Sequence, residues 1–424
     1  MARPCVDYDI ASPQSADLVK VFCKSHNFKA INLDDTPGRE THRVFIDKNL
    51  YFDFCRMQGK DIYEDLKQRD FTINSMAVTL EDFIRGNIEP IDPHGGKNDI
   101  ARKQIRVLPG PVFESDPLRL LRAFRFASTL DFEINKETLE AISQNKDSII
   151  RVAHERIIYE LFLLLDANNP DMENLANTGL LESMIPELSS LRNVSLEIPE
   201  KDPLQFTLCV LGNLDKLTSS PDILFKDYEE RIRDFLAPNN YRPLMRLAAL
   251  FQGLDDSPRT GPASPKRQPE TLPLKVMKRM RASNADATGM DRILFFHNYV
   301  LEKRQDFADE QSDFSAIYKF VKDSGQELVP ALLLAAAVFE SKYKNDNSFQ
   351  KVVYKIYDFY CNQYLPAQES PKLLDGNDLS RLFNLEPSPI FKTVLEGVEQ
   401  ARVLGTIKTG KEAEALARDL IESL

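Results

Sequence analysis

The hydrophobic period of this chain changes once, near Phe113, and that change limits the fold more than any other feature. Before it, short runs alternate every two residues between turn signals; after it, apolar residues recur every three to four. Residues 1–110 therefore predict a small α/β head. Val6–Ile10, VDYDI, reads as a strand and Ala16–Ser25 as a helix, followed by the run Phe28–Leu33. Arg43–Ile46 and Leu50–Cys55 read as a hairpin around Asp47–Asn49. Ile62–Lys67 reads as helical, Asp70–Thr79 opens a further element, Ile91–Gly96 is a tight turn and Gln104–Leu108 a last short strand. Helices are predicted at Lys136–Asn145, Ala153–Leu165, Met172–Thr178, Asp227–Leu236, Leu244–Gly253, Leu274–Ala282, Ala285–Lys303, Phe314–Asp323, Leu328–Tyr343, Ser348–Tyr364 and Lys411–Ser423. Asp255–Glu270, rich in Pro, Gly, Ser and Arg, has no period and reads as a loop or insert. The fold class is α+β: a head (1–110), then an all-helical neck (111–185), body (186–345) and tail (346–424).

At the change of period stands FESDPLRLLRAFRFA, Phe113–Ala127. Pro117 suits a first helical turn, with Ser115 or Asp116 placed to cap it. Arg119, Arg122 and Arg125 recur every three residues among apolar neighbours. Guanidiniums on a part-buried helix are costly unless something anionic or hydrogen-bonding meets them. A solvated basic stripe with one or two ion pairs is the plainer alternative.

The 424 residues, 42% hydrophobic and 28% charged, suit an ordinary globular protein of more than one domain. No apolar run reaches the roughly 18–20 residues of a membrane span. Val329–Phe339 comes nearest and predicts a buried core helix. The opening MARPCVDYDIA lacks the apolar core of a secretory leader. The 5 cysteines show no CxxC spacing and the 5 histidines form no pair, so no zinc site is expected. That usage suits a reducing cytoplasm. A net charge of −11 runs against the basic excess common in nucleic-acid binders, so any RNA contact must rest on a local basic face. The densest such run holds Lys266, Arg267, Lys275, Lys278, Arg279 and Arg281.

Asp7 and Asp9 share one strand face because side chains repeat every two residues. Left together they repel, and a divalent cation such as magnesium resolves this with carboxylates and phosphate oxygens. Asp53, on a neighbouring strand and opposite in facing to Phe52 and Phe54, could complete a two-metal clamp. An edge-strand charge pair is the plainer reading of Asp-x-Asp. Arg69-Asp70-Phe71-Thr72-Ile73-Asn74 packs a charge pair, an aromatic and an amide into six residues. Its Arg69 and Asn74 could hold ribose or phosphates, or the segment could simply cap a helix. Asp92-Pro93-His94-Gly95-Gly96 is a turn whose N–H groups can approach a ligand or other backbone closely.

In this order, DxD, DF…R, RDFTIN, DPxGGxxDI, ESDPLRLLRAFRFA and RVAHERI resemble the class II tRNA nucleotidyltransferase and bacterial poly(A) polymerase family. The similarity runs from about Val6 to Leu165 and returns weakly over Leu373–Ile407. The resemblance implies a polymerase-β-like head in which Asp7 and Asp9 bind two Mg2+ ions with Asp53 in support. Arg69, Asp70 and Asn74 would handle the sugar and triphosphate. Asp116, Arg119 and Arg122 would face the base of ATP or CTP, and Arg151 and Arg156 would brace the pocket or its helix. The implied reaction is attack of an RNA 3′-hydroxyl, most simply that of tRNA, on the NTP α-phosphate.

Three departures bear on this. Only Met1–Cys5 precede Val6, so the family's Gly-Gly triphosphate turn is not in the sequence, and weak triphosphate binding, a shortened reading frame or a non-catalytic RNA-binding paralogue is the alternative expectation. Ser115 stands where the family has Glu before Asp116, which loosens the expected choice between C and A. In Arg246–Asp255, RLAALFQGLD, Gln252-Gly253 replaces the His-Asp of a phosphohydrolase helix, leaving a buried structural helix as the expectation. CCA addition, A addition and poly(A) synthesis share all these motifs; Glu412–Leu424 is not basic, which favours tRNA.

Overall fold

The computed structural model describes residues 7–48, 50–193, 202–237, 241–254, 270–309, 314–343 and 346–423. It divides into two compact units, residues 1–153 with 167–183, and residues 154–166 with 184–424. The first unit takes in the predicted head and much of the predicted neck, while the helix His154–Asp166 belongs to the second.

The first unit opens with β1 (Asp7–Ser12), α1 (Ser15–His26), β2 (Ala30–Asp34), β3 (Thr41–Phe45) and β4 (Tyr51–Arg56). They form one sheet of order β1-β4-β3-β2, in which β1 runs parallel to β4 and the other pairs are antiparallel. The predicted hairpin is the β3–β4 pair, closed by Ile46 N–H donating to the Leu50 carbonyl at 2.9 Å. Alternation sorts the sheet into two faces. One face is apolar: Val19 of α1, Val44 and Phe54 are buried together, with Ile10, Phe22, Phe28 and Phe52 packed on them. The opposite face carries Asp7, Asp9, Arg43, Tyr51 and Asp53.

After β4 come α2 (Ile62–Leu66), capped by Asp61, and α3 (Leu80–Ile84), capped by Thr79. Between them RDFTIN forms neither strand nor long helix. Thr72–Asn74 make one 3-10 turn, flanked by the isolated bridges Phe71↔Val107 and Ala77↔Ile91. Next are α4 (Gly96–Ala101), β5 (Gln104–Ile105), α5 (Val112–Ser115), α6 (Arg119–Leu130), β6 (Glu133–Ile134) and α7 (Lys136–Asn145). The predicted strand Gln104–Leu108 is shorter than expected, pairing in parallel with β6 only over Gln104–Ile105. The predicted helix at Pro117 also begins later, at Arg119. Asp116 is extended and accepts from Leu118 N–H at 3.2 Å, so the Pro117–Leu118 turn precedes α6.

The second unit is helical throughout its described residues. Leu328–Lys342 is buried on nearly every side, as the run Val329–Phe339 predicts, and packs against Pro203–Ser219 and Asn284–Glu302. Pro203–Ser219 was not expected from the sequence. Its signal is Asp202-Pro203, a capping side chain that accepts from Leu204 N–H at 3.0 Å and a proline in the first turn. Tyr241–Phe251 is the expected buried helix: Arg246 pairs with Asp215 at 2.7 Å and donates to the Leu165 carbonyl at 2.6 Å. The predicted helix Ser348–Tyr364 is α-helical to Phe359 and finishes in a π turn, Tyr360–Tyr364. Gly376–Phe383, Pro389–Val403 and Gly410–Glu422 close a small core of their own around Leu379, Val394, Val398 and Ala413. Most of the predicted insert, residues 255–269, lies outside the described residues, Lys266 and Arg267 included. No helix among the described residues is long and apolar enough to cross a membrane.

Candidate nucleotide and cation site

Strand register assembles the charged face of the sheet. Asp9 lies directly opposite Asp53 in the parallel pair, and Asp53 directly opposite Arg43 in the antiparallel pair. Three strands therefore present Asp9, Asp53 and Arg43 in one row, with Asp7 and Tyr51 in the next. Arg43 grips Asp53 with two donors, Nε to Oδ1 at 2.8 Å and Nη2 to Oδ2 at 2.7 Å. Its guanidinium carbon sits 3.8 Å from the Tyr51 ring centroid, and the Tyr51 hydroxyl lies 3.5 Å from Asp7 Oδ2. Asp53 is buried, whereas Asp7 and Asp9 keep exposed surface.

Although open to water on one side, Asp9 is crowded enough that desolvation pushes its carboxyl above the ordinary range. The charges of Asp53 and Asp7 add to this; those of Arg69 and Arg43 work against it. Two solvent-open carboxylates on one strand face, one of them short of countercharge, fit a hard divalent cation that takes its other ligands from water and phosphate. Among the described residues no group of three or more His, Cys, Asp or Glu is arranged to hold a metal by itself. The third expected carboxylate, Asp53, shares the face but has both oxygens engaged by Arg43.

The nucleotide motifs meet beside this row. Arg69 donates through Nε and Nη2 to Asp65 Oδ2 at 3.0 and 2.7 Å, and the buried Asp65 also accepts from Gln58 N–H at 2.7 Å. Asp70 Oδ2 accepts from Arg122 Nε and Nη2 at 3.0 and 2.8 Å. Its Oδ1 accepts from Asn74 Nδ2 at 3.0 Å and from Phe71 N–H at 2.9 Å. Burial alone would raise the Asp70 carboxyl, but the charge and hydrogen bonds of Arg122, with those of Asn74 and Phe71, hold it below the ordinary range. RDFTIN and α6 are thus bolted together, and an edge-on contact of Phe71 with Phe126, centroids 5.8 Å apart, backs the bolt.

Each arginine of α6 has found its own partner. Arg119 donates to the Gln68 carbonyl at 2.8 Å and to Ser115 Oγ at 3.2 Å, while Arg125 lies over the Phe126 ring at 4.1 Å. Asp116 and Arg119 stand together at the start of α6, half exposed. The glycine turn serves backbone packing. Asp92 accepts from Gly96 and Lys97 N–H at 2.7 and 2.9 Å, starting α4, and a Cβ on Gly96 would fall 2.3 Å from the Thr72 carbonyl oxygen.

Arg151 is exposed at the end of the turn Lys146–Arg151 in the first unit, and Arg156 is exposed on His154–Asp166 in the second. Within the described part of the basic run, Lys278 pairs with Glu270, Arg279 with Glu187 at 2.7 Å and Arg281 with Glu155 at 3.4 Å, while Lys275 is exposed and has no ion pair among the described residues. Sequence reasoning missed Arg43 and Asp65, which hold Asp53 and Arg69. It also missed Asp99, which accepts from Thr72 Oγ1 at 2.7 Å and Arg106 Nη2 at 3.0 Å. The Arg43–Asp53 contact had a signal: the paired positions of β3 and β4 fall symmetrically about Lys48.

In the first unit a mixed sheet with paired carboxylates on its open face is accompanied by RDFTIN, which the Asp70–Arg122 pair ties to α6; the second unit is helical throughout its described residues. Residues 1–106 match the family described as "Poly A polymerase head domain", and residues 131–191 match "Probable RNA and SrmB- binding site of polymerase A". The CC-adding tRNA nucleotidyltransferase of Geobacter sulfurreducens is 39% identical over 39% of this chain and 37% of its own length. The A-adding tRNA nucleotidyltransferase of Deinococcus radiodurans is 26% identical over 97% of this chain and 91% of its own. The Thermotoga maritima CCA-adding enzyme, solved with tRNA, matches in fold at TM-score 0.65 and 20% identity, over 99% of this chain and 87% of that one. Over residues 1–106 and 131–191 the chain is similar to the class II tRNA nucleotidyltransferase and poly(A) polymerase family, and it spans well under two thirds of the length of several curated relatives it matches.

Proposed function

We propose that this protein is a template-independent nucleotidyltransferase that adds CMP or AMP to the 3′ end of tRNA in the cytoplasm. The observation that carries the reading is the meeting, in one unit, of the Asp7–Asp9 face with RDFTIN and the base-reading start of α6, through Arg69 beside Asp9 and the Asp70–Arg122 bolt. Asp7 and Asp9 would hold magnesium, which when bound supplies Lewis-acid polarisation of the phosphate oxygens. Arg69, fixed by Asp65, offers positive charge toward the triphosphate. Asp116 can accept from an exocyclic amine and Arg119 can donate to ring acceptors, a pairing that favours ATP and CTP over GTP and UTP. Asp70 and Arg122 hold that reading edge in register with the phosphate-binding residues. The RNA 3′-hydroxyl attacks the α-phosphate and pyrophosphate leaves.

Incubation with labelled CTP or ATP and a tRNA lacking its CCA end tests the reading. Incorporation that needs a divalent cation and is abolished by Asp9→Asn is the expected result. No incorporation from any of the four triphosphates, with RNA binding that survives Asp7→Ala, would instead mark a non-catalytic RNA-binding paralogue. Long A tracts on an unstructured RNA would mark a poly(A) polymerase.

A further inference from the structure

On the open sheet face, Asp53 is already matched by a fork. Arg43 meets both of its oxygens at 2.8 and 2.7 Å, lengths typical of strong charge-assisted bonds. The fork is pre-set on three sides. Ladder register puts Arg43 directly across from Asp53, and the Tyr51 ring supports the guanidinium at 3.8 Å. Asp53 itself is too buried to exchange Arg43 for water without cost. Arg69 is held by Asp65 through Nε and Nη2 and makes no hydrogen bond to Asp53 among the described residues. Asp9, across the other ladder, has no ion pair among the described residues.

We propose that Arg43 is a positioning residue that keeps Asp53 out of direct cation coordination, so that Asp7 and Asp9 alone serve as protein ligands. This rests on the reading of Asp7 and Asp9 as the cation site. A cation bound directly to Asp53 would give up a matched ion pair and sit beside a fixed positive charge, so both changes oppose it. Asp53 instead anchors Arg43 and supplies negative charge from the adjacent strand. Arg43 in turn caps how much divalent charge the face accepts.

Binding of Mn2+ alone, followed by electron paramagnetic resonance without nucleotide or RNA, tests this on the full chain. Asp9→Asn should weaken Mn2+ binding by at least about tenfold. Asp53→Asn should change it by less than about threefold. Arg43→Met, which removes fork and charge and frees Asp53, should tighten it by roughly fivefold, a gain absent from the Arg43→Met/Asp53→Asn double variant. Weaker binding in Arg43→Met, or an Asp53→Asn loss matching that of Asp9→Asn, overturns the proposal, because Asp53 is then a ligand that Arg43 merely orients. Binding that survives Asp9→Asn removes the cation site itself. If a melting curve shows Arg43→Met unfolded, Arg43→Lys, which keeps the charge and loses the fork, should bind Mn2+ between wild type and about fivefold tighter; weaker binding again overturns the proposal.

Discussion

Asp70 and Asp9 sit in the same unit and are shifted in opposite directions, so they respond oppositely to acid. Asp70 is held below the ordinary 3.8, so its ionisation stabilises the fold at neutral pH, and that contribution fades as pH falls through and below 3.8. Asp70→Ala strands an arginine only 32% exposed and should cost about 2–3 kcal/mol at pH 7 in urea unfolding followed by circular dichroism. Asp9 is raised, so the unfolded chain gives up that proton more readily and ionised Asp9 costs stability. The cost grows as pH rises above 3.8 and is full above the folded-state value. Without divalent cation, Asp9→Asn should therefore melt above wild type at pH 7, and the gap should close as pH approaches 3.8. An unchanged gap would mean that Asp9 is not held against its neighbours' charge. The placement of Asp7 and Asp9 on one face was legible from alternation alone. The partners were not: Arg122 lies 52 residues from Asp70 and no local pattern joins them.

At the scale of elements, β1, α1 and the β3–β4 hairpin follow from period and turn residues. RDFTIN was legible as a motif but not as a conformation. Its short turn is shaped by what it touches, α4 on one side and Val107 on the other, rather than by its own propensity. Gly96 makes that approach possible. Gly96→Ala should force α4 off the Thr72 carbonyl, costing about 1–3 kcal/mol and weakening nucleotide binding together with stability. Asp92→Ala should cost about 1–2 kcal/mol through the two N–H groups it leaves uncapped. Calorimetry with ATP separates the two, because only the glycine change moves the backbone beneath Asn74.

For the whole molecule, the change of period at Phe113 does not coincide with the division between compact units, which falls near Ala153. α6 and α7 stay with the first unit through the Asp70–Arg122 pair, the Phe71–Phe126 contact and the β5–β6 pairing, none of which a period can reveal. Charge behaves similarly. The basic run looked like an RNA face in the sequence, yet Lys278, Arg279 and Arg281 face carboxylates. Neutralising Lys278 or Arg279 should therefore change tRNA affinity by less than about threefold and leave its salt slope almost unaltered in filter binding; a slope reduced by about one per residue would show that these cations meet phosphate instead.

The bolt between RDFTIN and α6 also sets a rule for anyone recombining such proteins. A donor helix lacking an arginine at the Arg122 position would leave a buried anion behind in the recipient. Chimeras meant to alter which base is chosen should exchange both segments as one cassette, or the product will fail for want of a countercharge rather than for any fault in its choice of base.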